Sequence, residues 1–129
     1  MKLFLDSSTS TCYLTLVDEK SHYYDYSWQA DRSLARDLLA YLRDHLAQHQ
    51  MDFKDIDGLA LMRGPGSFTG LRIGATVLNT LAESLEVPIV GEMGDNWRKA
   101  AVKRLADGDN DQIVMPKYGS EANITKPRK

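Results

Sequence analysis

The sequence predicts one α/β domain, a mixed sheet with flanking helices. Three observations carry this. Three strand-like runs, 2–6 (KLFLD), 11–17 (TCYLTLV) and 22–28 (HYYDYSW), follow one another across short polar turns, which reads as an antiparallel meander. The period then changes, because Leu34, Leu38, Leu42 and Leu46 recur every fourth residue. Two further apolar runs, 58–62 (GLALM) and 87–91 (VPIVG), then alternate with helical patterns.

Asp18-Glu-Lys-Ser21 supplies the turn between the second and third runs. The leucine helix is expected over 33–50, with Ser33 as its N-cap and with Ala35 and Leu39 widening the stripe. At about 100° per residue the apolar arc spans roughly 140°, and Arg36, Asp37, Arg43 and Asp44 lie opposite. The run 58–62 is apolar on both faces, as a central strand is. Leu71, Ala75, Leu78, Ala82 and Leu85 mark a second helix ending near Glu86. A more polar third helix is expected over 95–106, a turn at Asp107–Asp111, and an edge strand over 112–115. Residues 1–115 then form the domain, and the polar segment 116–129, ending KPRK, is expected to be an extended or mobile tail.

Composition excludes several classes. The chain has 129 residues, 43% hydrophobic and 26% charged, as an ordinary globular domain has. Lys plus Arg is 16 against 18 for Asp plus Glu, so no global basic field recruits nucleic acid. No apolar run approaches the roughly 18 residues of a membrane span. The start, MKLFLDSSTS, turns polar too soon for a secretory signal. One cysteine, Cys12, allows no intrachain disulfide and fits a reducing cytoplasm; on its strand it reads as a small buried hydrophobe.

Two loops have the residues of an anion site. Asp6-Ser7-Ser8-Thr9-Ser10 joins two strands, and its amides and hydroxyls can wrap a phosphate or simply close a hairpin turn. The second is Arg63-Gly-Pro-Gly-Ser-Phe-Thr-Gly-Leu-Arg-Ile-Gly74, in which Gly66, Ser67 and Gly70 lead into a helix N-terminus. Ser67 or Thr69 can cap that helix. The P-loop lysine is missing, since Leu71-Arg72 follows Gly70, and the dinucleotide glycine spacing is not met. Small residues at Gly70, Gly74 and Ala75 suit close approach of another backbone, and Phe68 at the loop tip suits a buried anchor, while Ile73 falls on the polar side. Two broad apolar helix faces are much for one small sheet: the alternative is that the sheet covers both, and the expectation is that both stay uncovered until another polypeptide lies across them. The docking residues so predicted are Leu34, Leu38, Leu42, His45 and Leu46 on the first helix, with Phe68, Leu71, Ala75, Leu78 and Ala82 on the second.

His45 and His49 stand four apart inside the apolar arc and read as its rim, since HxxxH alone lacks a third zinc ligand. No nucleophile-base arrangement stands out, so no catalytic residue is assigned. Arg98, Lys99, Lys103 and Arg104 beside Trp97 read as a solvated face, with RNA contact as the alternative.

The order of Asp6-Ser-Ser-Thr9, the meander, the leucine helix, RGPGSFTGLRIG and Glu86-Val-Pro-Ile-Val-Gly91 resembles the N-terminal lobe of the TsaB (YeaZ) family over about residues 1–91. Pro116, Tyr118 and Glu121-Ala-Asn123 faintly resemble that family's C-terminal end. The resemblance implies a single RNase H-like lobe of the actin/Hsp70-type (ASKHA) fold. It implies a non-catalytic subunit of TsaD, the enzyme that transfers a threonylcarbamoyl group to adenosine 37 of tRNAs reading ANN codons. Pairing with a TsaD-like protein, or with itself, would use helices 33–50 and 69–86 in a bundle. No cofactor of its own is implied, with ATP and magnesium reached only through the partner enzyme, any tRNA contact indirect and no membrane. The chain departs from the family at Arg32-Ser33, where a His and a hydroxyl residue often open the first helix, and at Glu92-Met-Gly-Asp95, where serines are usual. About 38 residues follow Gly91, too few for a second lobe and a cleft between lobes. Two alternatives stay open: a nucleotide- or phosphate-binding enzyme using the Asp6–Thr9 and Gly64–Gly70 loops, and a self-associating module without a TsaD partner.

Overall fold

The computed structural model describes residues 1–118. The meander is β1 (Lys2–Asp6), β2 (Thr11–Val17) and β3 (Tyr23–Gln29), paired antiparallel in sequence order. A 3₁₀ turn at Asp31–Ser33 leads into α1 (Leu34–Ala47). Then come β4 (Gly58–Met62), α2 (Phe68–Leu85), β5 (Ile89–Glu92) and α3 (Trp97–Ala106). β4 lies parallel beside β1, and β5 parallel beside β4, giving the order β3-β2-β1-β4-β5. This is the predicted mixed sheet, and its parallel half is reached through helical crossovers, as parallel pairing demands.

The strand period sorts the side chains. Leu3 and Leu5 of β1, Cys12, Leu14 and Leu16 of β2, Leu59 and Leu61 of β4 and Ile89 of β5 all enter the core that takes α1 and α2. Phe4, Val17, Ala60 and Val90 point the other way and take Ala101 and Leu105 of α3.

The four leucines of α1 and the Leu71, Ala75, Leu78, Ala82 face of α2 therefore lie inside the chain's own core. None of these eight is more than 5% exposed. This corrects the expectation that both helix faces stay open. A fully buried leucine is worth roughly 1.5–3 kcal/mol over an exposed one, so these faces are committed to folding.

The third strand explains how one sheet covers both. Tyr24, Tyr26 and Trp28 alternate inward from β3 and roof the outer flank of α1. Trp28 stacks on Tyr41 at 4.7 Å between centroids, while Tyr26 meets His45 at 4.3 Å and Tyr24 meets His49 at 4.5 Å in tilted pairs. His49 Nε2 meets the Tyr26 hydroxyl at 2.8 Å, and His45 Nδ1 meets the Tyr41 carbonyl at 2.9 Å. The two histidines are the rim of the stripe, as expected. Burial pushes the Tyr41 phenol up to about 12, and its hydroxyl has no partner among the described residues.

Some boundaries differ. Ser33 forms no cap to α1; its hydroxyl donates to the Ala30 carbonyl at 2.7 Å, closing the 3₁₀ turn instead. α1 ends at Ala47, three residues before the expected end, and α3 starts at Trp97. Residues 112–115 form no strand. They belong to a strap, running from Asn110 to Tyr118, that closes the β5 edge with side chains. Asn110 Oδ1 accepts the Ile89 N–H at 3.1 Å and Asp111 Oδ2 the Gly91 N–H at 2.9 Å, while the Asp111 N–H donates to the Ile89 carbonyl at 2.8 Å. Residues 116–118 thus continue an anchored segment; the rest of the expected tail, with Glu121, Ala122, Asn123 and KPRK, lies outside the described residues.

Candidate functional site

The two loops that have the residues of an anion site are brought together, and they bind each other. Ser67 N–H donates to the Ser8 carbonyl at 2.7 Å, and the Ser7 hydroxyl donates to the Gly70 carbonyl at 2.8 Å. Asp6 Oδ1 accepts the Ser8 amide at 2.9 Å and the Ser8 hydroxyl at 2.6 Å. Ser67 Oγ accepts the Gly70 N–H at 3.1 Å and caps α2, as expected of that serine. The Thr9 hydroxyl turns back to the Thr11 carbonyl at 3.0 Å. The Ser7, Ser8 and Thr9 hydroxyls and the Ser8, Ser67 and Gly70 amides are thus spent on the chain itself.

The glycines record the same approach. A Cβ on Gly70 would strike the Ser7 carbonyl oxygen, one on Gly74 the Ser7 hydroxyl, and one on Gly66 would stand 2.5 Å from Ser8 Cβ. The close-approach face of α2 was expected to serve another polypeptide. It serves the chain's own β1–β2 loop, and Ser7, completely buried, is the residue received.

What stays open lies on the outer side of the two helices. Phe68, at the first position of α2, is 56% exposed, against the expectation of a buried anchor, and Leu39 of α1 is 50% exposed. Ile73 and Val77 are half-buried. With Ala35, Thr69, Arg72 and Thr76, they line a shallow groove of 390 Å³ between α1 and α2. Leu39 and Ala35 were legible as the margin of the leucine stripe. Ile73 and Val77 are reached through the same helical period, one residue beyond the inward face.

The basic face of α3 is neutralised from within. Arg98 donates to Asp25 and to Thr15 at 2.8 Å, Lys103 meets Asp107 at 2.9 Å, and Arg104 binds Glu92, Asp109 and Asp111. Of the four cations named for an RNA contact, three are thus paired within the chain. Cys12 is buried and its thiol is pushed up to about 12 by burial, then by Asp6, so it is an unreactive core group. Among the described residues no group of three or more His, Cys, Asp or Glu side chains is placed to hold a metal. No helix there is long and apolar enough to cross a membrane.

The strand order, the crossovers and this pair of helices invite comparison with known proteins. A family model described as "TsaD: tRNA N6-adenosine threonylcarbamoyltransferase" matches residues 28–93, about half of the chain. The chain belongs to this family.

Within the TsaD family the chain is similar to proteins named TsaB, as its sequence suggested. It is 36% identical over 90 residues to the tRNA threonylcarbamoyladenosine biosynthesis protein TsaB of Haemophilus influenzae, covering 68% of this chain and 37% of the relative. It is 33% identical over 130 residues to TsaB of Escherichia coli, covering 94% of this chain and 56% of the relative. The structure of YeaZ from Pseudomonas aeruginosa superposes with a TM-score of 0.65 at 33% identity, over 71% of this chain and 44% of that one. The RNase H-like lobe expected from the resemblance is therefore the fold observed. The chain spans about half the length, or less, of these relatives.

Proposed function

We propose that this chain is a non-catalytic partner subunit in tRNA threonylcarbamoyladenosine biosynthesis, docking a TsaD-like protein through the outer faces of α1 and α2. The observation that carries this reading is the apolar set of exposed Leu39 and Phe68 with half-buried Ile73 and Val77, on helices whose inner faces are already filled. Aromatic and aliphatic anchors over a shallow groove are what a protein interface uses. A small lobe gains no folding energy from an exposed phenylalanine at a helix start.

The occupant follows from the family match. The model described for the transferase family runs from the end of β3 through β5, including α1 and α2, so a TsaD-like chain carries the same pair of helices. Equivalent faces from two related lobes pair about a near two-fold axis, as in a bundle. A second copy of this chain would present the same face, which makes self-association the competing outcome.

No chemistry is assigned to the chain. The Ser7 hydroxyl and the Ser67 amide bind across the two loops, and the Ser8 hydroxyl and Gly70 amide are held within them, which weighs against the nucleotide-binding reading. Cytoplasmic residence is part of the same proposal.

Co-expression of the full chain with a TsaD-like protein from the same cell, followed by size-exclusion chromatography, tests it. Co-elution in a defined stoichiometry is expected. Separate elution of two folded proteins contradicts the reading, and a dimer of this chain alone favours self-association.

A further inference from the structure

The strap from Asn110 to Tyr118 does more than close the β5 edge. From Val114, whose backbone is clamped to α2 by the Asn79 carboxamide, it runs to the Arg63 loop. Arg63 Nε donates to the Met115 carbonyl at 2.9 Å, and the Lys117 N–H donates to the Arg63 carbonyl at 2.7 Å. Gly64 is pressed against the Lys117 carbonyl, where a Cβ has no room, and its φ of +132° suits glycine alone. The strap thus follows the strand-to-helix loop to its tip. There Tyr118 meets Phe68, with ring centroids 4.4 Å apart. On α2 one turn further, the Arg72 guanidinium stands over the same Phe68 ring at 5.4 Å.

We infer, building on the docking role proposed above, that the strap sets Phe68 in its docking position and that Tyr118 is the positioning residue. An exposed aromatic ring at a helix start has several rotamers available. Ring contact from Tyr118 and the guanidinium of Arg72 restrict it before a partner arrives. Restricting an anchor in advance removes part of the ordering cost of association. The surface so built, an aromatic pair flanked by arginine, has the residue types that dominate interface energetics. It fits an apolar, helix-borne face of the TsaD-like partner. The strap thereby links the β5 edge, through Asn79 and Arg63, to the partner surface.

The test is the dissociation constant for the TsaD-like protein, measured with the full chain and with Phe68→Ala, Tyr118→Ala, their double variant and Asn79→Ala. Tyr118→Ala changes one half-buried residue outside the core, so the fold is kept, and circular dichroism checks this for all variants. Tyr118→Ala is expected to weaken binding roughly three- to tenfold, the worth of one aromatic pair. The double variant is expected to bind no worse than Phe68→Ala alone, because Tyr118 acts through Phe68. Folded Asn79→Ala is expected to weaken binding in the same direction. If Phe68→Ala weakens binding while Tyr118→Ala matches the parent, the positioning role is overturned and the docking role stands. Additive losses in the double variant overturn it too, since Tyr118 would then be an independent contact. If Phe68→Ala binds like the parent, or the parent does not bind, both roles fall.

Discussion

The Asn79 carboxamide takes both backbone groups of Val114: Nδ2 donates to the Val114 carbonyl at 2.9 Å, and Oδ1 accepts the Val114 N–H at 2.8 Å. One side chain on α2 thus does for the strap what a neighbouring strand does for a strand. Val114 is 3% exposed and its methyl group lies against Gly91, where a Cβ would come within 2.5 Å. Asn79→Ala leaves two backbone groups unpaired beside the core. A loss of about 1–3 kcal/mol is expected from equilibrium urea unfolding. A change within a few tenths of a kcal/mol would show that the clamp is not holding the strap.

The Ser7–Gly70 approach makes a second prediction. At Gly70 an added methyl meets the backbone carbonyl of Ser7, which cannot rotate away; at Gly74 the clash is with the Ser7 side-chain hydroxyl, with Leu5 and Ser7 Cβ at ordinary contact distance. Gly70→Ala is therefore expected to lower stability by about 1–3 kcal/mol, and by more than Gly74→Ala. Thermal unfolding of the two variants decides the order. Equal midpoints would contradict the intimate contact of the two loops.

The leucine stripe gives a third. Leu42 is fully buried and Leu39 half exposed, three residues apart on one helix. Leu42→Ala should cost about 2–5 kcal/mol, while Leu39→Ala should stay within about half a kcal/mol. Denaturant midpoints of both variants check this. A tolerated Leu42→Ala would mean that the leucine face is not core after all.

Acid should loosen the strap. Hydrogen bonds from the Arg104 guanidinium, then from the Gly91 amide, hold the Asp111 carboxyl below the usual carboxylate range. A carboxylate depressed in the folded state contributes stability that is fully present above its unfolded pKa. That contribution is lost as pH falls through the folded one. Stability is thus expected to decline from about pH 4 downward, and Asp111→Asn is expected to flatten that part of the profile. Identical pH profiles for parent and variant would remove Asp111 from the acid response.

Much of this fold was legible before any coordinates. Apolar, β-branched and aromatic runs between short polar turns marked the meander over 2–6, 11–17 and 22–28, and the leucine spacing marked α1, because its period is set by the face that is buried. Three features were not legible. The period that identifies a buried face does not say what buries it, so the Leu34–Leu46 stripe was open to two readings until Tyr24, Tyr26 and Trp28 were seen roofing α1. The serine and glycine loops had the composition of an anion site, and only their long-range pairing, as between Ser7 and Gly70, shows that they bind each other. The run 112–115 looked like an edge strand because Ile113, Val114 and Met115 are apolar, yet Asn110, Asp111 and Asn79 supply its pairing from side chains. Such substitution leaves no period in the sequence.

The most direct test of the docking role is a calorimetric titration of the TsaD-like protein into the full chain and into a Leu39→Asp, Val77→Asp variant. Leu39 is exposed and Val77 is half-buried at the margin of the core, so circular dichroism first establishes that the variant is folded. The parent is expected to give saturable heat, and the folded variant to bind at least about tenfold more weakly, a loss of about 1.4 kcal/mol. Equal affinity for parent and variant, or no binding by a well-folded parent, would contradict the account.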